Sequence, residues 1–329
     1  MKKNIIALIL IALFATPALA MNSEVRISKQ YGLPYLPLMV VEEHKLIEKQ
    51  AAAVGLNNVK VTWLTFGSGA TSNDALLSGN VDIISGGVAP FLRLWDKSKG
   101  KVKALASLDQ SPQVLNTSRP EVKSLKDFTP NDKIALPAVK VSMQALALQM
   151  AAAKEFGKEN YDKIDYLTVS AKYPDAAIAL TSGKSEITGH VASEPFSTFE
   201  LNSPGIHSVF SSYDVLGGHH ISNLISTSES FYNSNKELCK AILLALDNAS
   251  AWIADNKVKA AELYITKTNS KEPVELITEI LKNPDIVYST VPVRITMFSD
   301  FLYDQGAIKT KAHSWKDLYF DAIFDRVGS

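Results

Sequence analysis

The 329-residue sequence contains a single cysteine, Cys239, so no disulfide can form within the chain. Its surroundings, Glu237-Leu238-Cys239-Lys240-Ala241-Ile242-Leu243, carry a helical apolar stripe that makes Cys239 a small buried hydrophobe rather than a nucleophile. Neither sign of charge is in excess, with 34 basic and 34 acidic residues. No run of like charge makes a tail or a polybasic patch, which excludes a nucleic-acid footprint. A G-x-S-x-G elbow and a P-loop are both missing, so hydrolase and NTPase chemistry have no anchor. Repeats of fixed period, low-complexity tracts and Gly/Ser-rich linkers are missing as well.

The N-terminus does carry a pattern. Lys2 and Lys3 precede an uncharged apolar run from Ile5 to Ala15, and Thr16-Pro17 leads into Ala18-Leu19-Ala20. This is the order of a cleaved secretory signal peptide, and the run falls short of the roughly 18 to 20 apolar residues a spanning helix needs. Residues 1–20 are therefore expected to be removed, and no cysteine follows to take a lipid anchor. The mature chain starts near Met21 with 32 basic against 34 acidic residues, a net charge of −2, and the periplasm is its expected destination.

A mature chain of about 309 residues is more than one core usually organises, and two lobes are expected. Short β-rich runs alternate with amphipathic stretches, the pattern of βαβ units in an α/β fold. Strands are predicted at Val25–Ser28, Val59–Thr65, Val81–Ser85 and Lys101–Ser107, with helices at Leu36–Val54 and Asn73–Ser78. A second set follows: a short helix at Ser124–Phe128, strand Lys133–Leu136, helix Ser142–Phe156, strand Ile164–Val169, helix Asp175–Thr181 and strand Glu186–His190. The chain finishes in helices at Lys236–Asn256, Lys257–Thr266, Val274–Lys282 and Val293–Tyr303, expected to clad the first lobe. This divides the mature chain into a first lobe begun by residues 21–112, a second lobe over 113–222, and a return to the first over 223–329. The lobes are joined by two extended crossings, near 107–118 and 208–226, which make a hinge.

The most informative stretch runs Thr65-Phe66-Gly67-Ser68-Gly69-Ala70-Thr71-Ser72-Asn73-Asp74-Ala75-Leu76-Leu77-Ser78-Gly79-Asn80-Val81-Asp82. A strand enters a small polar loop that opens a helix, and free N–H groups at a helix start favour an anion or polar head group. Ordinary N-capping by Ser72 or Asn73 accounts for the same residues. A second loop, Ser85-Gly86-Gly87-Val88-Ala89-Pro90, follows the next strand, and open α/β sheets bind ligands beyond the carboxyl ends of their strands.

These segments, together with Gly32-Leu33-Pro34-Tyr35-Leu36-Pro37-Leu38 before the first helix, resemble the periplasmic binding proteins for nitrate, sulfonates, taurine and the thiamine pyrimidine precursor. The matching pattern is Ser68-Gly69, Ala75-Leu76, Gly79, Val81-Asp82 and then Gly87-Val88-Ala89-Pro90. The resemblance covers most of the mature chain and implies a type II periplasmic-binding fold. It further implies a monomer that passes a small solute to the permease and ATPase of an ABC transporter. It places solute contacts at Gly32, Pro34, Tyr35, Ser68, Gly69, Thr71, Ser72, Gly87 and Pro90 of the first lobe. From the second lobe it adds Val141 and Ser142, where a strand meets the long helix, and Glu194, in His190-Val191-Ala192-Ser193-Glu194-Pro195-Phe196.

Glu194 bears on the solute's charge. Facing the cleft and ionised, it would repel a simple anion and favour a zwitterion such as taurine or an aminopyrimidine; capping the helix that starts near Pro195, it would do neither. Lys140 is either a cation over the solute or a solvated side chain. Tyr35, Phe66, Phe91 and Phe196 are candidates to stack on a ring or to fill the core. One branch of this fold is an enzyme that makes the thiamine pyrimidine, but its cysteine-rich signature is missing here. A metal site would need His219 and His220 with His190 or His207, and adjacent histidines point apart on a helix. The expectation is thus a binding protein without cofactor or metal. Its solute is sulfonate-like, nitrate-like or zwitterionic, with a heteroaromatic vitamin precursor as the alternative.

Overall fold

A computed structural model describes residues 24–329; the expected signal peptide at 1–20 lies outside the described residues. Strand β1 (Glu24–Lys29) leads through a 3-10 turn at Leu33–Tyr35 into α1 (Leu36–His44) and α2 (Leu46–Ala53). Then come β2 (Lys60–Thr65), α3 (Gly69–Leu77), β3 (Ile83–Gly87), α4 (Val88–Lys97) and β4 (Val102–Gln110). The middle of the chain forms β5 (Val114–Thr117), β6 (Ile134–Leu136), α5 (Met143–Phe156), β7 (Thr168–Ser170), α6 (Tyr173–Ser182), β8 (Gly189–Ala192), α7 (Phe196–Leu201), β9 (His207–Ser211) and α8 (Ser212–Leu216). The remainder is β10 (Ile221–Ser228), α9 (Glu229–Ser234), α10 (Lys236–Asp255), α11 (Lys257–Thr268), α12 (Val274–Lys282), β11 (Val287–Tyr288), α13 (Ile295–Asp304) and α14 (Trp315–Leu318).

The strands form two sheets, in the orders β11-β4-β10-β3-β1-β2 and β7-β6-β8-β5-β9. In the first, β1 runs parallel to β2 and β3, whereas β10 returns from the far end of the chain and inserts antiparallel between β3 and β4. In the second, β6 lies parallel to β7 and β8, and β5 is antiparallel to β8 and β9. The chain passes between the sheets twice, from β4 to β5 and from β9 through α8 to β10. β4 is buried at all but its second and last positions, whereas β1 carries only Val25 and Ile27 as apolar residues, both buried.

Local chemistry shifts several expected boundaries. The helix predicted over Leu36–Val54 is two helices, broken where Lys45 takes a left-handed conformation at φ 50°. α3 begins four residues before the predicted Asn73, because Ser68 and not Ser72 or Asn73 is its N-cap. The strand expected at Ile164–Val169 is a 3-10 turn over Asp165–Leu167 followed by β7. α4 follows β3 directly and had no counterpart in the sequence pattern. Pro90 sits at its third position, where the missing N–H has no intrahelical acceptor to lose, and Phe91, Leu92, Leu94 and Trp95 form its buried face.

One large apolar cluster joins β1, β4 and β10 to α1, α2 and the C-terminal helices, with Phe298 and Tyr319 fully buried in it. Cys239 is buried in this cluster, and burial pushes its thiol up to about 12. A smaller cluster fills the space around β5, β6 and β8. Leu105, 2 % exposed in the middle of β4, is a test of the larger core. Leu105→Ala is expected to lower the unfolding free energy by about 2–5 kcal/mol, read from urea denaturation, because the central strand cannot collapse into the space left.

Candidate solute cleft

Between the two sheets, at the carboxyl ends of β3 and β6, lies a cavity of about 20 Å³. It receives Pro34 and Tyr35 from the 3-10 turn, Gly69 from α3, Gly87 and Pro90 around the start of α4, and Asn223 from β10. The facing side supplies Pro137, Ser142, Met143, Gln144, Tyr173 and Ser193. Wider grooves of about 890 Å³ beside α9, about 740 Å³ between α5 and α13 and about 320 Å³ between α5 and β9 lie away from these strand ends. The small cavity is where both sheets direct their loops, so position rather than volume marks it as the site.

None of its lining residues is formally charged. Instead, four helix starts abut it: α3 through Gly69, α4 through Gly87 and Pro90, α5 through Ser142 to Gln144, and α6 through Tyr173. First-turn N–H groups have no intrahelical acceptor, and each helix presents its positive dipole end there. Ser68 Oγ accepts Thr71 N–H at 3.3 Å and Ser142 Oγ accepts Ala145 N–H at 3.2 Å, so one donor of each of these two turns is used. Four positive dipole ends thus abut a cleft whose lining has no cationic side chain.

Its polar side chains pair with one another. Tyr35 OH donates to Asn223 Oδ1 at 2.9 Å, while Asn223 N and Nδ2 both donate to Asp109 Oδ1 at 3.0 Å. Gln144 Nε2 donates to Gln113 Oε1 and to Tyr173 OH. Gln113 Nε2 in turn donates to Ser222 Oγ at 2.8 Å. Tyr173 OH and Ser142 Oγ each accept a bond, which leaves their hydroxyl protons for a further acceptor. Burial holds the phenols of Tyr35 and Tyr173 far above their ordinary range, so both stay protonated and able to donate.

Closure depends on small residues. A Cβ on Gly87 would stand 2.8 Å from Met143 Cβ, closer than real side chains approach, so the start of α4 meets the start of α5 only because Gly87 has none. A second contact of the same kind joins Leu33 N–H to the Glu194 carbonyl at 2.9 Å beside Gly32, whose φ of 106° suits glycine. Arg93 Nη2 donates to the Lys140 carbonyl at 2.8 Å at the edge of this contact.

Of the residues named from the sequence, Pro34, Tyr35, Gly69, Gly87, Pro90 and Ser142 come together around the cavity. Gly32, Ser68, Thr71, Ser72, Val141 and Glu194 do not line it. The hydroxyls of Ser68, Thr71 and Ser72 turn onto the start of α3, with Ser72 Oγ donating to Ser68 O at 3.2 Å and Ser68 Oγ bonding Thr71 Oγ1 at 3.1 Å. Gly32 serves the contact beside Glu194, and Val141 N–H closes the turn onto Ala138 O at 3.2 Å. For Glu194 the structure shows the second of its two expected uses, the helix cap. Its carboxylate accepts from Thr198 N and Oγ1 at 3.3 and 2.9 Å, capping α7, and burial raises its pKa.

Phe196 stacks on Tyr173 with centroids 5.4 Å apart, and Phe91 is core. The histidines are dispersed: His190 pairs with Glu200, His219 with Asp285, His220 with Ser212, and His207 with the Val122 carbonyl. Among the described residues no group of three His, Cys, Asp or Glu side chains is placed to hold a metal ion. Sequence reasoning missed Tyr173, Gln144, Ser193 and Asn223. Tyr173 precedes Pro174, a helix-start signal, and Asn223 lies in Ile221-Ser222-Asn223-Leu224, where a polar pair interrupts a buried strand.

A family model described as the NMT1-like family matches residues 22–265. No curated protein sequence matches the chain. Among solved structures, the alkanesulfonate-binding protein SsuA from Xanthomonas axonopodis pv. citri, bound to MOPS, has a TM-score of 0.69 at 16 % identity, over 89 % of this chain and 96 % of that one. The periplasmic aliphatic sulphonate binding protein SsuA from Escherichia coli has a TM-score of 0.68 at 16 % identity, over 91 % and 92 %. The Candida albicans CA3427 gene product, described as having the generic periplasmic binding protein structural fold, has 0.64 at 14 % identity, over 92 % and 94 %. At such identities the likeness concerns the fold. With two α/β sheets crossed twice by the chain and three quarters of its length matched, the protein belongs to the NMT1-like family and has the type II periplasmic-binding fold.

Proposed function

We propose that this protein is the solute-binding component of an ABC importer, working in the periplasm as a monomer. It captures a small solute with an anionic head, a sulfonate foremost, and passes it to the permease and ATPase. The observation that carries this reading is the convergence of four helix starts on a cavity without charged lining. Backbone N–H groups and hydroxyl protons bind a tetrahedral oxyanion through many weak contacts, and the dipole ends add their field in a site screened from water. The structural likeness to two sulfonate-binding proteins points the same way.

The clamp mechanism uses two lobes, residues 21–112 with 223–329 and residues 113–222, turning about the β4–β5 and β9–β10 passages. A cavity of about 20 Å³ holds little more than a water molecule, so a sulfonate enters with the lobes apart. The first lobe offers Gly69, Gly87 and Tyr35; closure then brings Ser142, Gln144 and Tyr173 over the solute. Contacts made only in the closed form draw the equilibrium toward closure. Binding rather than turnover fits the lining, in which Ser142 and Ser193 have no basic side chain beside them to act as proton acceptor. The uncharged polar lining and the Tyr173–Phe196 stack also suit a heteroaromatic solute, and that reading competes in the same assay.

Calorimetry against nitrate, short alkanesulfonates, taurine and aminopyrimidines is expected to give an alkanesulfonate Kd of about 10 µM or below. Binding of every sulfonate weaker than about 1 mM would overturn the reading, and tight binding of an aminopyrimidine alone would replace the solute. Gly87→Ala is expected to weaken the sulfonate by about tenfold or more by holding α4 off Met143, and the overpacking, about 1–3 kcal/mol, is expected to lower the thermal midpoint as well. Gln144→Ala should weaken binding by a similar factor, since it removes a side chain that links the cleft to Gln113 and Tyr173.

A further inference from the structure

Asp109 stands at the end of β4, where the chain leaves the first sheet, and is 1 % exposed. Its partner Asn223 belongs to β10, where the chain comes back, so this pair joins the two passages, beside the Gln113–Ser222 pair described above. The β4–β10 register is irregular there, and Asn223 N–H donates to the Asp109 side chain instead of to a strand carbonyl. Among the described residues no Lys, Arg or His pairs with Asp109. A buried carboxylate without a counter-ion therefore sits one side chain behind the cavity wall.

We propose that Asp109 is a positioning and specificity residue that orients Asn223 and takes up a proton from solvent when an anionic solute enters the cleft. The solute is then held more tightly on the acid side of neutrality; the inference rests on the anion reading of the cleft. The two oxygens of Asp109 divide the work. Oδ1 accepts from Asn223 N and Nδ2, which turns Asn223 Oδ1 toward Tyr35 OH and fixes the cavity wall. Oδ2 faces Ser111 Oγ at 2.5 Å, an O–H···O contact that works with the proton on either oxygen. Protonation at Oδ2 thus leaves Asn223 in place and changes only the charge.

Burial outweighs these bonds and raises the carboxyl to about 7, within reach of a nearby charge. The groups facing it leave it as the titrating one. Tyr35, Tyr173, Tyr213 and Tyr288 are neutral phenols, all with raised pKa values. His220, bonded to Ser212, is pushed down to about 4 by burial and is neutral through this range. From the elements packed on β4, Asp247 is held by Arg326, Asp321 accepts from Tyr232, Arg93 is bonded to Lys140, and Asp96 accepts from Thr310. Asp285 bonds His219, and Glu200 bonds His190 and Asn116. Glu194, buried with a raised pKa on the other side of the cleft, is the remaining candidate and serves as the control. An anion in the cavity disfavours ionised Asp109, so binding raises its pKa, and affinity falls as pH rises through neutrality.

The test is calorimetry of ethanesulfonate and 1-butanesulfonate, which stay anionic throughout, from pH 5.5 to 8.5 in buffers without a sulfonate group. Affinity is expected to fall by about tenfold between pH 6 and pH 8, the scale of a repulsion between charges one residue apart. Asp109→Asn, which keeps an acceptor for Asn223 and a donor for Ser111, is expected to bind at every pH as the native protein does at pH 6. Glu194→Gln is expected to keep the native slope. A flat native profile, a slope retained in Asp109→Asn or a slope lost in Glu194→Gln overturns this inference alone. Failure of both sulfonates to bind at any pH overturns the anion reading and this inference with it. Should Asp109→Asn fail to fold, native binding heats at pH 7 in two buffers of different ionisation enthalpy decide the matter. Uptake of up to about half a proton supports the proposal, and no uptake overturns it.

Discussion

Both cores use the same helix, and the geometry of the cleft follows from that sharing. Met143, Leu146 and Met150 of α5 lie in the large cluster of the first lobe, while Ala145, Leu148, Ala151 and Ala152 lie in the cluster around β5, β6 and β8. The two sets follow the helical repeat on different faces, so α5 is apolar around most of its circumference. A helix packed on both sides cannot shift without disturbing both cores, and its first turn is held against Gly87. The alanines of its second face let β6 and β8 come near, and the Met143 side chain meets α4 where a glycine leaves room. The methionine stripe thus packs in the larger cluster and the alanine stripe in the smaller one.

With that helix as the common wall, the site is made of backbone rather than charge. Helix starts from both sides meet at one cavity, and hydroxyl and amide side chains fill the space between them by bonding to each other. Such a network is largely paired within itself, with the hydroxyl protons of Tyr173 and Ser142 left over, so a solute has to offer better acceptors than the side chains offer each other. An oxyanion does so, because charge-assisted hydrogen bonds exceed neutral ones. Close behind the wall lie two buried carboxyl groups, Asp109 bonded to Asn223 and Glu194 bonded to Thr198.

The strand-loop-helix pattern from Thr65 to Asp82 and the loop Gly86 to Pro90 were legible because backbone-binding loops need small and polar residues at fixed places. The six predicted residues that reach the cavity are mainly glycines, prolines and a helix-capping serine, whose use is local. Of the six that lie off the cavity, four are held by bonds of their own segment. Hydroxyls near a helix start have their own N–H groups within reach, and Ser68, Thr71 and Ser72 bond there instead of facing the cleft. Glu194 was open to two uses, and the four-residue distance to Thr198 on the same helix turn decided for the cap.

By itself the sequence determined the alternation of strands and helices and the loops that leave N–H groups at strand ends, since each follows from periodicity and capping within a few residues. Only the tertiary structure decided that Tyr35 meets Asn223 across 188 positions and that Gln144 meets Tyr173 and Gln113. It alone placed Asp109 against Asn223, out of water and without a cation. Those pairings depend on where β10 inserts between β3 and β4, a choice made by the packing of whole sheets that leaves no trace in the neighbours of any one residue.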